Sequence, residues 1–184
     1  MVKYRIWIVG LIALIILFTL TQFKQRSLTS RSDQIFNINK SEIFGIQIRN
    51  GEDSLSLSFN GDSWSILGHD SLKVKDNTLN SFFDKLLNLK RTSLVSKNLS
   101  KWDKFMVGDS TGIHLNFFDY NGELLSNIIV GRSNAEWASN NVRIGDKVEV
   151  YQTNENVSWQ LNTSATFWGE VPSPPAADST DIDI

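Results

Sequence analysis

Residues 6–20, Ile6 to Leu20, form an unbroken apolar run with Thr19 its only polar side chain, and it extends through Thr21 and Gln22 to Phe23. These 18 residues carry no charge and no proline. As a helix they would measure about 27 Å, close to the ~30 Å hydrocarbon layer of a bilayer. Every face is apolar, so the run predicts a membrane-spanning helix and not an amphipathic core helix.

Beyond it the pattern shortens to strand-like alternation. Ile46 and Ile48 alternate with Gln47 and Arg49; Leu55, Leu57 and Phe59 alternate with serines; Trp64 and Ile66 alternate with Ser63 and Ser65. Asn50-Gly51 and Asn60-Gly61 separate these runs as type I′ hairpin signals, which predicts a three-stranded meander with one apolar and one serine-rich face. Leu79, Phe82, Phe83, Leu86 and Leu87 then fall at helical spacing, a stripe that could cover the meander, with Asp76 or Asn77 as cap. Leu94-Val95 reads as a short strand, and 98–104 as a short second helix with Trp102 and Phe105 turned inward. Ile113, Leu115 and Phe117 lead to Asn121-Gly122, and 125–130 return. Val142 to Ile144 and Val148 to Tyr151 flank Gly145-Asp146 as a last hairpin. The fold class expected is α+β: an N-terminal transmembrane helix, then a small domain of antiparallel β-meanders packed on one main helix and a short second one.

The domain organisation follows. Residues 1–23 form a cytoplasmic stub and anchor, 24–42 a polar tether, and 43–171 an extracytoplasmic α+β domain. Residues 172–184 hold all three prolines and read as a disordered acidic tail.

Charge sharpens the anchor. Residues 1–31 contain five basic and no acidic residues; the remaining 13 basic and all 20 acidic residues follow, a formal charge of −7. Basic residues directly after the run (Lys24, Arg26) and the lack of a small-x-small cleavage site favour an uncleaved anchor over a removed signal peptide. Basic flanks on both sides nearly balance the positive-inside rule. Inner (cytoplasmic) membrane with the body outside is expected because the run precedes the body and would act as an export signal. With no cysteine the chain has neither disulfides nor thiolate metal ligands.

Candidate chemistry is sparse. Gly108-Asp109-Ser110-Thr111-Gly112 matches G-x-S-x-G, but a strand follows it where a nucleophile elbow needs a helix, so it reads as a polar turn. His69-Asp70-Ser71 are sequence neighbours in a loop, whereas catalytic triads are spatial. His114, the only other histidine, sits on a strand out of phase with Ile113 and Leu115 and reads as solvent-facing or ladder-packed. No metal-ligand spacing, phosphate loop or dinucleotide motif occurs, so no cofactor, metal or catalytic residue is expected. Asp178 to Asp183 in the tail read as solvated carboxylates. One charged region stands out: residues 84–105 hold six cations against Asp84 and Asp103. Within it Lys90, Arg91, Lys97, Lys101 and Lys104 form a possible docking patch, with Lys97, Lys101 and Lys104 on one helical face, for an acidic partner or lipid headgroups. The acidic body argues against nucleic acid.

The stretch Leu94-Val95-Ser96-Lys97-Asn98, Lys101 and Phe105-Met106-Val107, with Gly131 after Ile128-Ile129-Val130, Asn141-Val142-Arg143 and Val148-Glu149-Val150-Tyr151, resembles the domain-of-unknown-function family 4340 over roughly residues 43–170. The resemblance implies one N-terminal membrane helix, an extracytoplasmic domain and, for some members, association with ABC-type transporters of the gliding-motility class. It implies no catalytic residues. The chain is short, with one module where some members carry more.

The expected function is therefore a single-pass, membrane-anchored, non-enzymatic envelope accessory protein. Residues 6–23 would contact the bilayer, and a membrane protein of transporter type would be the partner. The alternative is a module binding envelope glycan or lipid through Trp102 or Trp137 and the basic patch. A serine hydrolase using Ser110 is the remote third reading.

Overall fold

The computed structural model of the chain describes residues 14, 29–133 and 136–172. The expected transmembrane helix at 6–23 and the acidic tail beyond Pro172 lie outside them, apart from Leu14. Among the described residues no helix is long and apolar enough to cross a membrane.

Nine strands form one antiparallel sheet: β1 (Thr29–Gln34), β2 (Gly45–Asn50), β3 (Asp53–Phe59), β4 (Trp64–Ile66), β6 (Lys90–Ser96), β7 (Ile113–Phe118), β8 (Leu124–Arg132), β9 (Asn140–Ile144) and β10 (Val150–Thr153). Their spatial order is β1-β6-β10-β9-β8-β7-β2-β3-β4. A second, two-stranded sheet pairs β5 (Lys73–Val74) with β11 (Gly169–Glu170). Among residues 29–133 and 136–172 the α-helices are α1 (Asp76–Leu87) and α2 (Ala165–Trp168). The α+β class is as the periodicity predicts.

Register places the apolar positions on one face. Ile46 lies between Leu57 and Phe117, Ile48 between Leu55 and Leu115, and Val130 between Ile113 and Val142. These side chains are buried, except half-buried Ile113, against Leu79, Phe82, Phe83 and Leu86 of α1; Leu87 is half-buried at the edge. Phe82 is central: its ring meets Phe83, Phe117 and Trp168 at 5.2–6.1 Å, edge to face. Burying one such side chain is worth about 1.5–3 kcal/mol.

Several expectations are corrected. The chain joins the fold before residue 43: β1 pairs with β6, and Ile35 and Phe36 are buried in the main core, so 29–42 is not a free tether. The sequence hid this because β1 itself, Thr-Ser-Arg-Ser-Asp-Gln, has no apolar alternation. The α1 cap is Lys75, without a side-chain cap bond; its N–H donates to the Trp168 carbonyl at 2.8 Å and its Nζ to the Thr166 carbonyl at 2.8 Å. Hairpins occur at the Asn-Gly signals, but not as type I′ turns. Asn50 pairs with Asp53, and Gly51, not Asn50, takes the positive φ, +62°. Asn60 instead caps its turn, accepting from the N–H groups of Asp62 and Ser63 at 2.9 Å.

The antiparallel order fixes two ends. The entry end, from whose side the chain enters β1, carries the β9–β10, β7–β8 and β3–β4 turns and the exit from β6. The far end carries the β8–β9 loop and the loop after β10. β8, with nine residues, spans about 27 Å between them.

Candidate functional site

The second face of the sheet carries a row of paired residues, Ser54, Arg49, His114, Ile129, Arg143 and Val150, running across six strands. Segment 97–112 crosses over half of it, from the entry end to the far end. The expected short helix there is two 3-10 turns, Leu99–Lys101 and Asp103–Phe105, ended by Met106 at φ +55°. The reason lies underneath. Arg143, 4% exposed, donates from Nε to the Val107 carbonyl at 3.0 Å and from Nη2 to the Asp109 carboxylate, and its guanidinium lies 3.8 Å from the Trp102 ring centroid. Trp102 in turn donates to the Val148 carbonyl at 3.1 Å. Asn141 donates to the Phe105 carbonyl at 3.2 Å. At Gly131 a Cβ would stand 2.3 Å from the Phe105 oxygen, so the segment rests directly on β8. Backbone carbonyls that an α-helix would use internally are thus spent on Asn141 and Arg143. Val107, Ile129 and Val150 form a small second core there with Val95, Trp102 and Phe105. Of the residues that carried the family likeness, Val95, Phe105, Val107, Gly131, Asn141, Arg143 and Val150 take part in these contacts.

The nucleophile-elbow pattern resolves as the turn expected: Gly112 and Thr111 donate to the Gly108 carbonyl, and β7 follows. Asp109 is engaged with Arg143. His114 is ladder-packed; its Nε2 lies 2.9 Å from the Asp109 carbonyl and 3.1 Å from Arg49 Nη2. Burial chiefly, helped by the charges of Arg49 and Arg143, holds its pKa below the ordinary 6.5, against the opposing pull of the Asp109 carbonyl and carboxylate. Among the described residues no group of three or more His, Asp or Glu could hold a metal ion.

The basic patch is divided. Lys90 and Arg91 stand at the far end of β6, and the Arg91 guanidinium lies 5.1 Å from the Tyr151 ring. Lys97 follows the opposite end of the strand, about 20 Å away. Lys101 and Lys104 sit in the two 3-10 turns, Lys104 over Phe105, and Lys97 precedes both, so no helical face unites the three. Trp102 is turned inward as expected, half-buried against Arg143, which takes it out of the glycan- or lipid-binding alternative that named it as an exposed aromatic.

Trp137 is the opposite case. It is 94% exposed, in the β8–β9 loop at the far end, beside a cleft of about 360 Å³ lined with Arg132, Ser133, Asn156 and Ser158. Hydrogen bonds fix the walls: Asn156 Nδ2 donates to the Trp137 carbonyl at 2.9 Å, the Ser158 N–H donates to Asn156 Oδ1, and Asn140 Nδ2 donates to Ser158 Oγ at 2.8 Å. A flat indole beside guanidinium, carboxamide and hydroxyl groups offers one apolar plate and several directed polar contacts, a chemistry suited to a sugar ring. The sequence pointed to Trp137, but not to the side chains gathered around it.

The family model described as "Domain of unknown function (DUF4340)" matches residues 64–170. No curated protein and no solved structure matches.

Proposed function

The chain belongs to the DUF4340 family, a domain of unknown function, and from that premise we propose that it is a single-pass, membrane-anchored, non-enzymatic accessory protein that presents its α+β body to a partner at the outer face of the membrane, an ABC-type transporter being the partner class its family likeness points to. What supports the reading is where the sheet begins. β1 starts at Thr29, and five residues separate it from the end of the apolar run at Phe23. That connection spans at most about 20 Å whatever its path. A body so tightly leashed works next to the bilayer, with its far end directed away from it.

The chain has no cysteine, so Trp137→Cys introduces a unique thiol at the far end. In intact cells this thiol should react with a membrane-impermeant maleimide, and the tagged full chain should copurify with a membrane protein after crosslinking. A thiol that reacts only after lysis, or recovery of the chain alone, refutes the proposal.

The Trp137 cleft favours a second reading, a module binding envelope glycan. On an array of neutral and acidic oligosaccharides the full chain in detergent should bind, and Trp137→Ala should abolish binding. Equal binding by both proteins refutes this version.

A further inference from the structure

Resting on the anchored reading above, we infer that the loops at the entry end of the sheet seat on the lipid headgroup layer, so that the body stands upright on the membrane instead of swinging on its leash. Exposed apolar side chains gather at this end. Leu99 (58% exposed) sits in the turn leaving β6, Val148 in the β9–β10 turn, Tyr120 (78%) in the β7–β8 turn and Leu124 (54%) at the first position of β8. They come from three connections, Tyr120 and Leu124 sharing the β7–β8 hairpin, and strand order brings these to one edge. None is needed by either core cluster.

The same edge is where the chain arrives from the apolar run. β1 runs away from it, antiparallel to β6, from Thr29 opposite Ser93 in the middle of that strand, about 10 Å inside the edge, to Gln34 opposite Lys90. Followed back from Thr29, the strand heads for this edge, so a leash of five residues turns this edge toward the bilayer. Single leucines and a tyrosine with a polar tip are the side chains that settle at the headgroup–acyl boundary. Lys97, Lys101 and Lys147 rise beside them on flexible stems able to reach phosphates. The edge is not net cationic, because Asp119, Glu123, Asp146 and Glu149 share it. Seating therefore rests on apolar contact and should respond little to salt.

The test uses the full chain in vesicles of phosphatidylethanolamine with phosphatidylglycerol. Nitroxide labels go on single thiols at Leu99→Cys, Leu124→Cys and Val148→Cys, with Trp137→Cys as the far-end control and Leu14→Cys within the run. Collision rates with oxygen, which concentrates in lipid, are compared with those of a water-soluble nickel chelate. The ratio at 99, 124 and 148 should exceed that at 137 severalfold and stay the same in high salt. Labels at 99, 124 and 148 as wet as the one at 137 overturn the inference. So do labels shielded from both reagents, which would mean a protein covers the edge. Leu14→Cys separates the two failures. A lipid-exposed label at 14 with a wet edge refutes the seating alone, and a wet label at 14 refutes the anchor and the seating together.

Discussion

Replacing Arg143 with alanine removes the pin that holds segment 97–112 on the sheet. The Val107 carbonyl, on a residue with no exposed surface, loses its donor; a buried acceptor left unpaired costs about 1–3 kcal/mol. The guanidinium–indole contact with Trp102 at 3.8 Å also disappears, worth ~1–2 kcal/mol in a desolvated setting. A destabilisation of about 2–5 kcal/mol follows. Asp109→Ala tests the logic from the other side. The carboxylate is 77% exposed and water screens it, so its loss should cost about 1 kcal/mol or less. Urea unfolding of the full chain in detergent gives both values, and Trp102→Ala completes a double-mutant cycle with Arg143→Ala. Equal costs for Arg143→Ala and Asp109→Ala would refute the reasoning, because the ion pair and not the carbonyl and indole contacts would then hold the segment.

Gly131→Ala should cost about 1–3 kcal/mol by pushing the Phe105 and Met106 carbonyls off β8; a thermal melt alongside Asn141→Ala, which frees the same Phe105 carbonyl, checks it. Phe82→Ala should cost about 3–5 kcal/mol, since four aromatic rings including its own share the space below α1; the urea midpoint reads this directly. His114 should make stability fall with acid. Its folded pKa lies below the unfolded value near 6.5, so above that value both states are neutral and the full contribution is present. As pH drops from about 6.5 toward the folded pKa, the unfolded chain takes the proton first and stability is lost. Unfolding midpoints between neutral and mildly acid pH should flatten in His114→Gln; an unchanged slope would refute this.

The main core was legible because its information is local. The stripe Leu79, Phe82, Phe83, Leu86 and the alternation of Ile46, Ile48, Leu115 and Phe117 each declare a face within a few residues. The hairpin positions were legible for the same reason, although the turn type was not: Asn50 went into the strand to pair with Asp53, leaving Gly51 alone to take the positive φ. The second face was not legible. Arg143 reads as a strand arginine until Val107, Asp109 and Trp102 converge on it, and 3-10 geometry at 99–105 is imposed by Asn141 and Gly131 from strands some thirty residues on. Polar β1 joins through backbone bonds to β6, which leave no mark on its side chains.

The position of β1 at the sheet edge has a mechanical consequence. If the chain is held in the membrane at one end and a partner grips the far end, tension runs parallel to the strands. β1 would then be dragged lengthwise along β6, loading the bonds of the β1–β6 ladder together, and not peeled away one bond at a time. A lengthwise load is the direction in which an edge strand resists longest, so the connection would bear a sustained pull through its backbone ladder.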